Sequence, residues 1–262
     1  MKKHILLFAI FVTLLASCSK EEQTSNQAIS SGEGACKSIT RNILINPPCP
    51  YVDMLDTSIY AWAAFLHYND NPLYADQYAV VDSDPIMNIS ANGLQLISSQ
   101  SYSSTDFEEL FGSSVSFVVD QSDIGIYIPK RIAILSPEIS DPEDLLPFCY
   151  YGDFELSWNE DAANTNGILV VVEWTGTMYG EDDIHGAHIQ NIDYIPNDNG
   201  VAVLNNALFD MIPEDAICDL TIIRGNSDVA EYNGTEEVRV GGFSASSITF
   251  ILVRDMSRYD PI

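Results

Sequence analysis

After Cys36 the chain carries short runs of apolar residues, and no window keeps a helical period for more than about two turns. Phe154, Leu156 and Trp158 alternate with Glu155 and Ser157, and Ile248, Phe250 and Leu252 repeat the alternation. A period of two places one face of a strand on a core and the other in water. In the first half the pattern predicts strands over 39–45, 59–68, 78–81, 86–97 with a break at Asn92-Gly93, 115–119 and 124–128, with one helical turn over 105–110. In the second half it predicts strands over 132–135, 154–158, 168–174, 188–195, 201–204, 218–224, 237–240 and 248–253. The run 168–172 is apolar on both faces and reads as a central strand. Asn166-Gly167, Asn199-Gly200 and Asn233-Gly234 supply the positive φ of tight hairpins. The expected fold class is all-β, as two consecutive β-sandwich domains over 36–129 and 130–262. The boundary falls near Pro129-Lys130-Arg131, where one strand ends on a proline and a new apolar run begins.

The first residues follow a different pattern. Met1-Lys2-Lys3-His4 is a short positive region, and the apolar run from Ile5 to Leu15 is too short to span a bilayer, which asks for about 20 residues. Residues 1–17 therefore read as a signal peptide. Leu15-Ala16-Ser17-Cys18 resembles the lipobox of bacterial lipoproteins, and the resemblance implies cleavage before Cys18 and acylation of that residue. Ser19-Lys20-Glu21-Glu22 is similar to the export tag of surface lipoproteins in Bacteroidetes-type bacteria. Together these imply an outer-membrane lipoprotein facing the cell exterior, joined to its lipid by a flexible tether over 18–35 rich in Ser, Asn, Gln and Gly.

The second half resembles the Ig-like β-sandwich domains common in Bacteroidetes lipoproteins. That likeness rests on Trp158-Asn159 near its start, the Asn199-Gly200 turn and the strand Thr221-Ile222-Ile223-Arg224-Gly225-Asn226. It implies adhesion or ligand binding and brings no catalytic residue.

Charge narrows the partners further. Eleven Lys and Arg against 38 Asp and Glu give a net charge of −27 over 262 residues, which argues against nucleic acid because phosphate binding rests on basic side chains. Besides Cys18 there are four cysteines, an even number that suits disulfides in an oxidising compartment. Three pairings are open, and Cys36 with Cys49 and Cys149 with Cys218 are favoured. A first loop of that size would add about 3 kcal/mol.

Signatures of chemistry are sparse. HExxH, P-loop and dinucleotide motifs are missing, and the cysteines lack zinc-ligand spacing, so no cofactor, metal or enzymatic activity is expected. Gly242-Phe243-Ser244-Ala245-Ser246 begins like a nucleophile elbow but lacks the last glycine and reads as a loop. The stretch 161–167 has the composition of a calcium loop, yet Ala162 stands where the first ligand belongs, so it reads as a hairpin turn. The loop over 175–187 is long for a hairpin. Tyr179 could stack on a sugar ring while Asp182 and Asp183 accept from its hydroxyls, or the aspartates with His185 and His188 could hold an ion. The resulting expectation is a non-catalytic surface lipoprotein that binds a glycan or a surface protein. The alternative is a fimbria-type structural subunit, since fimbrial proteins of such bacteria also begin as lipoproteins with two β-domains.

Overall fold

The structure, a computed structural model, describes residues 59–69, 76–82, 87–97, 102–138, 146–181, 185–234 and 236–255. The expected strand over 39–45 lies outside these, as do Cys18, Cys36, Cys49, Asp182 and Asp183. The fold is all-β. Its backbone is a pair of very long antiparallel strands, β13 (Ala216–Tyr232) and β14 (Glu236–Val253), registered without a shift from Ile217 opposite Ile251 to Tyr232 opposite Glu236. Asn233 and Gly234 take φ of 51° and 76° at the turn between them, as the Asn-Gly signal demands.

Strand β14 corrects the sequence reading, which expected strands over 237–240 and 248–253 with a loop at 242–246. The glycine and serines that read as a break are small because the strand is crossed there at close range. A Cβ on Gly242 would lie 2.4 Å from the Phe65 ring, and the hydroxyls of Ser244 and Ser246 accept from the backbone N–H groups of Ile132 and Ile134 at 2.8 and 3.2 Å. Small residues at 242, 244 and 246 are therefore a packing requirement within one strand.

Around this pair runs a seven-stranded sheet. One edge of β13 takes β10 (Ile168–Met178), which in turn pairs with β11 (Ile189–Ile195), so the two-sided apolar run at 168–172 is central as expected. The free edge of β14 is shared by two parallel partners. Strand β1 (Ile59–Asn69) takes the stretch 237–246 and β8 (Phe148–Tyr150) takes 251–253, while β2 (Gln77–Asp82) closes the sheet beyond β1.

Unbroken register means that the even-numbered positions of β14 all face one way. Two smaller sheets cover that face. The first is β4 (Leu94–Gln95), β3 (Ile89–Ala91), β5 (Ser113–Val119) and β6 (Ser122–Ile128) in that order, and the second is β12 (Val201–Val203), β9 (Glu155–Trp158) and β7 (Ile134–Ser136). Val238 and Val240 enter the first core with Phe65, Phe107 and Phe117, and Ile248, Phe250 and Leu252 enter the second with Trp158, Phe154 and Phe209. Each fully buried side chain of this size contributes about 1.5–3 kcal/mol. Helix α1 (Ser104–Glu108) is a single turn that brings Phe107 into the first core. The chain division expected at Pro129-Lys130 marks where building passes from one small sheet to the other, while the large sheet draws strands from both sides of it.

Two of the three Asn-Gly turns are not hairpins. The stretch 159–167 links β9 to β10 and Asn199-Gly200 links β11 to β12, so each passes between layers. Positive φ at Gly167 and Gly200, 65° and 82°, serves these crossings.

The favoured Cys149–Cys218 disulfide is absent, and both thiols are free and buried. Cys149 is on β8 beside Leu252, Cys218 is on β13 beside Phe250, and β14 lies between them. Two strand spacings amount to about 9.6 Å, beyond the roughly 7 Å between Cα atoms that a disulfide tolerates. Burial pushes the Cys149 thiol up to about 12 and raises that of Cys218 as well.

Candidate functional site

The inward phase of β1 runs Ala61, Ala63, Phe65, His67, so a histidine ends a row of core positions. Cross-strand register sets His67 directly between Ser244 of β14 and Tyr78 of β2. Its Nδ1 is 2.7 Å from Ser244 Oγ. Its Nε2 lies 3.1 Å from Asp76 Oδ1, at ion-pair distance but off the axis of a good hydrogen bond. The carboxylate draws the ring proton to Nε2 and leaves Nδ1 to accept from the serine hydroxyl. Burial lowers the histidine below its ordinary 6.5, outweighing the opposite pull of Asp76.

From Asp76 the network continues outward. Asp76 Oδ2 pairs with Arg131 Nη1, the same Nη1 donates to the Tyr78 hydroxyl at 2.7 Å, and Nη2 is 3.2 Å from Glu108 Oε1. Asn69 Nδ2 donates to Asp76 Oδ1 at 3.1 Å. His67, Asn69, Asp76, Glu108 and Arg131 line a cavity of about 410 Å³ whose remaining wall is Phe111, Lys130, Ile132, Ala133 and Asn159. Comparison of the chain with protein-family models, with curated proteins and with solved structures finds no match.

The segment 130–133 that forms one wall is held from behind by a guanidinium. Arg224 of β13, fully buried, donates from Nε to the Lys130 carbonyl, from Nη2 to the Arg131 carbonyl and from Nη1 to the Asn159 carbonyl, at 3.0, 2.9 and 2.9 Å. Nη1 also pairs at 2.8 Å with Asp198 Oδ2, and that carboxylate accepts from Trp158 Nε1 and Asn164 Nδ2. Asn159 adds a second clamp, accepting from the Ala133 N–H and donating to the Arg131 carbonyl. The cavity wall is therefore preorganised.

Serine, histidine and aspartate in sequence invite comparison with a hydrolytic triad. Ser244 is only 1% exposed, and its Oγ already accepts from the Ile132 N–H while facing His67. The hydroxyl pins the crossing chain and is not presented to the cavity, whose lining includes His67 but not Ser244.

The residues singled out from sequence lie elsewhere and apart. Tyr179 is half exposed, with its ring edge-on to Phe148 at 5.3 Å between centroids. His185 is exposed and pairs with Glu181 at 2.8 Å, while His188 pairs with Glu173 at 2.6 Å. Among the described residues no three metal-ligating side chains converge. Asp161, in the stretch resembling a calcium loop, is turned inward. Burial alone would raise its carboxyl, but the N–H groups of Lys130 and Ala163 and the Tyr127 hydroxyl bring it below its ordinary 3.8.

Proposed function

We propose that this chain is a non-catalytic surface lipoprotein, anchored through Cys18, that binds its ligand in the cavity walled by His67, Asp76, Glu108 and Arg131. One observation carries the binding reading. A polar cavity of about 410 Å³ has His67 positioned by strand register and its 130–133 wall held by buried clamps, so ligand binding need not order these groups. The anchor rests on the lipobox-like Leu15-Ala16-Ser17-Cys18. Cys18→Ala should move the protein from the membrane to the soluble fraction, and sedimentation with membranes after a high-salt wash would refute the anchor. Ligand binding is tested by adhesion of the parent and of Glu108→Gln. Equal adhesion by both folded proteins would place the ligand elsewhere.

The second reading, a structural assembly subunit, is favoured by Val201 and Val203, 45% and 64% exposed on the edge strand β12. Exposed apolar edges invite strand addition. Sedimentation analysis of the mature chain decides between the two, because an assembling subunit forms ladders and a binder stays monomeric.

A further inference from the structure

Resting on the reading of this cavity as a ligand site, we infer that its ligand is a neutral, hydroxyl-rich unit, a sugar residue of a glycan.

The charges in the wall cancel. Lys130 and Arg131 stand against Asp76 and Glu108, and His67 is held neutral by burial. An anionic ligand would find Arg131 already held by two carboxylates and would have to rely on the exposed Lys130 alone, in a chain of net charge −27. A metal ion meets the opposite obstacle, because the guanidinium lies between the two carboxylates it would need. An apolar ligand would strip water from charged groups without replacing their hydrogen bonds. The predominance of polar groups in the wall is itself unlike the mostly apolar lining of ordinary small-molecule pockets.

Among the described residues, Glu108 and Lys130 bring a charged acceptor and a charged donor to the wall. Glu108 uses Oε1 on Arg131, and among the described residues nothing engages its Oε2. The Lys130 backbone N–H is spent on Asp161, and among the described residues its ammonium has no ion-pair partner. A carboxylate only accepts and an ammonium only donates, whereas a hydroxyl does both. Hydroxyls match this pair in hydrogen-bonding type, one donating to Glu108 and another accepting from Lys130. Phe111 supplies an apolar wall for the C–H side of a sugar ring.

The test uses the full mature chain in detergent, screened on a glycan array and then titrated calorimetrically with methyl glycosides of neutral hexoses, with glucuronate and glucosamine alongside. The expected result is binding of at least one neutral glycoside, weakened about tenfold or more by Glu108→Gln and by Lys130→Met, with melting temperatures unchanged. Both side chains are exposed enough for these variants to fold. Binding of charged sugars alone, abolished by either variant, would overturn the neutral class and leave the cavity as a ligand site. Neutral-sugar binding that neither variant weakens would place the glycan elsewhere and overturn the inference. Silence on the array, together with adhesion to surface protein that Glu108→Gln abolishes, would reject a sugar and retain the cavity. Silence with adhesion that Glu108→Gln leaves intact would reject both.

Discussion

Arg224 and Asp198 form a fully buried ion pair, 2.8 Å from Nη1 to Oδ2, inside a protein whose acids outnumber its bases by more than three to one. Desolvating two such charges is expensive, and the pair persists because four of the five guanidinium N–H groups and both carboxylate oxygens are hydrogen-bonded, to each other, to three carbonyls, an indole and an amide. Arg224→Ala is expected to cost about 3–5 kcal/mol in urea unfolding, since it leaves the Asp198 carboxylate without its counter-charge and the Lys130 and Asn159 carbonyls without their donor. Arg224→Met combined with Asp198→Asn should recover part of that loss. A single-variant loss under about 1 kcal/mol would show that the network is not a structural clamp.

Stability should fall as the medium is acidified from neutral toward pH 5. His67 is neutral in the folded protein and lowered from its ordinary 6.5, so below that value the unfolded chain binds the extra proton and unfolding is favoured. The groups facing the ring are Asp76, Tyr78, Arg131 and Glu108, with Asp76 moderating the effect. His67→Asn should flatten the melting profile over that interval. Asp161, lowered from 3.8, adds its own loss only in stronger acid, so the two contributions separate along the pH axis. An equally steep profile for His67→Asn would assign the acid sensitivity to other groups.

Gly242→Ala should destabilise by about 1–3 kcal/mol, because the new methyl would meet the Phe65 ring at 2.4 and 2.5 Å and Ile128 Cγ2 at 2.9 Å. Gly125 on β6 is the control. A Cβ there meets nothing within 4 Å, and Gly125→Ala should change stability by no more than about 0.5 kcal/mol. Denaturant midpoints for the two variants decide the matter, and equal midpoints would mean that Phe65 moves aside freely.

Cys149 and Cys218 should resist maleimide in the native protein and react fully once it is unfolded. Burial withholds both from reagent and keeps Cys149 protonated with a value of about 12. Peptide mapping without reductant should recover the two as separate thiols, and a peptide linking 149 to 218 would contradict the sheet order β13, β14, β8.

The strands were largely legible because alternation is local. Phe154, Leu156 and Trp158 announce β9 on their own, and Asn92-Gly93 marks the turn between β3 and β4, where φ is 48° and 82°. What alternation could not carry was the continuity of β14, whose small residues at 242, 244 and 246 answer to Phe65 and to the backbone at 132 and 134. The site was less legible still. Ser244 and His67 are 177 positions apart and meet only because β1 pairs in parallel with β14. The one local signal was His67 itself, a histidine on the inward phase of an otherwise apolar strand. By contrast the stretch 175–187, expected as a loop, drew attention through composition together with His188, yet β10 runs on to Met178 and Tyr179, His185 and His188 turn to separate partners.

The shared edge of β14 has a consequence for how the chain acquires its shape. Strand β1 is the earliest described strand and β14 the last, and they lie side by side, so the closure of the large sheet waits until the final strand has been synthesised. Such long-range pairing makes for slow folding, because the entropy of closing the loop comes before the contacts that reward it. Until then Phe65 and its neighbours have no floor at Gly242, and Phe154 lacks Phe250. A chain ending before residue 236 would therefore lose both cores at once, leaving no folded half behind.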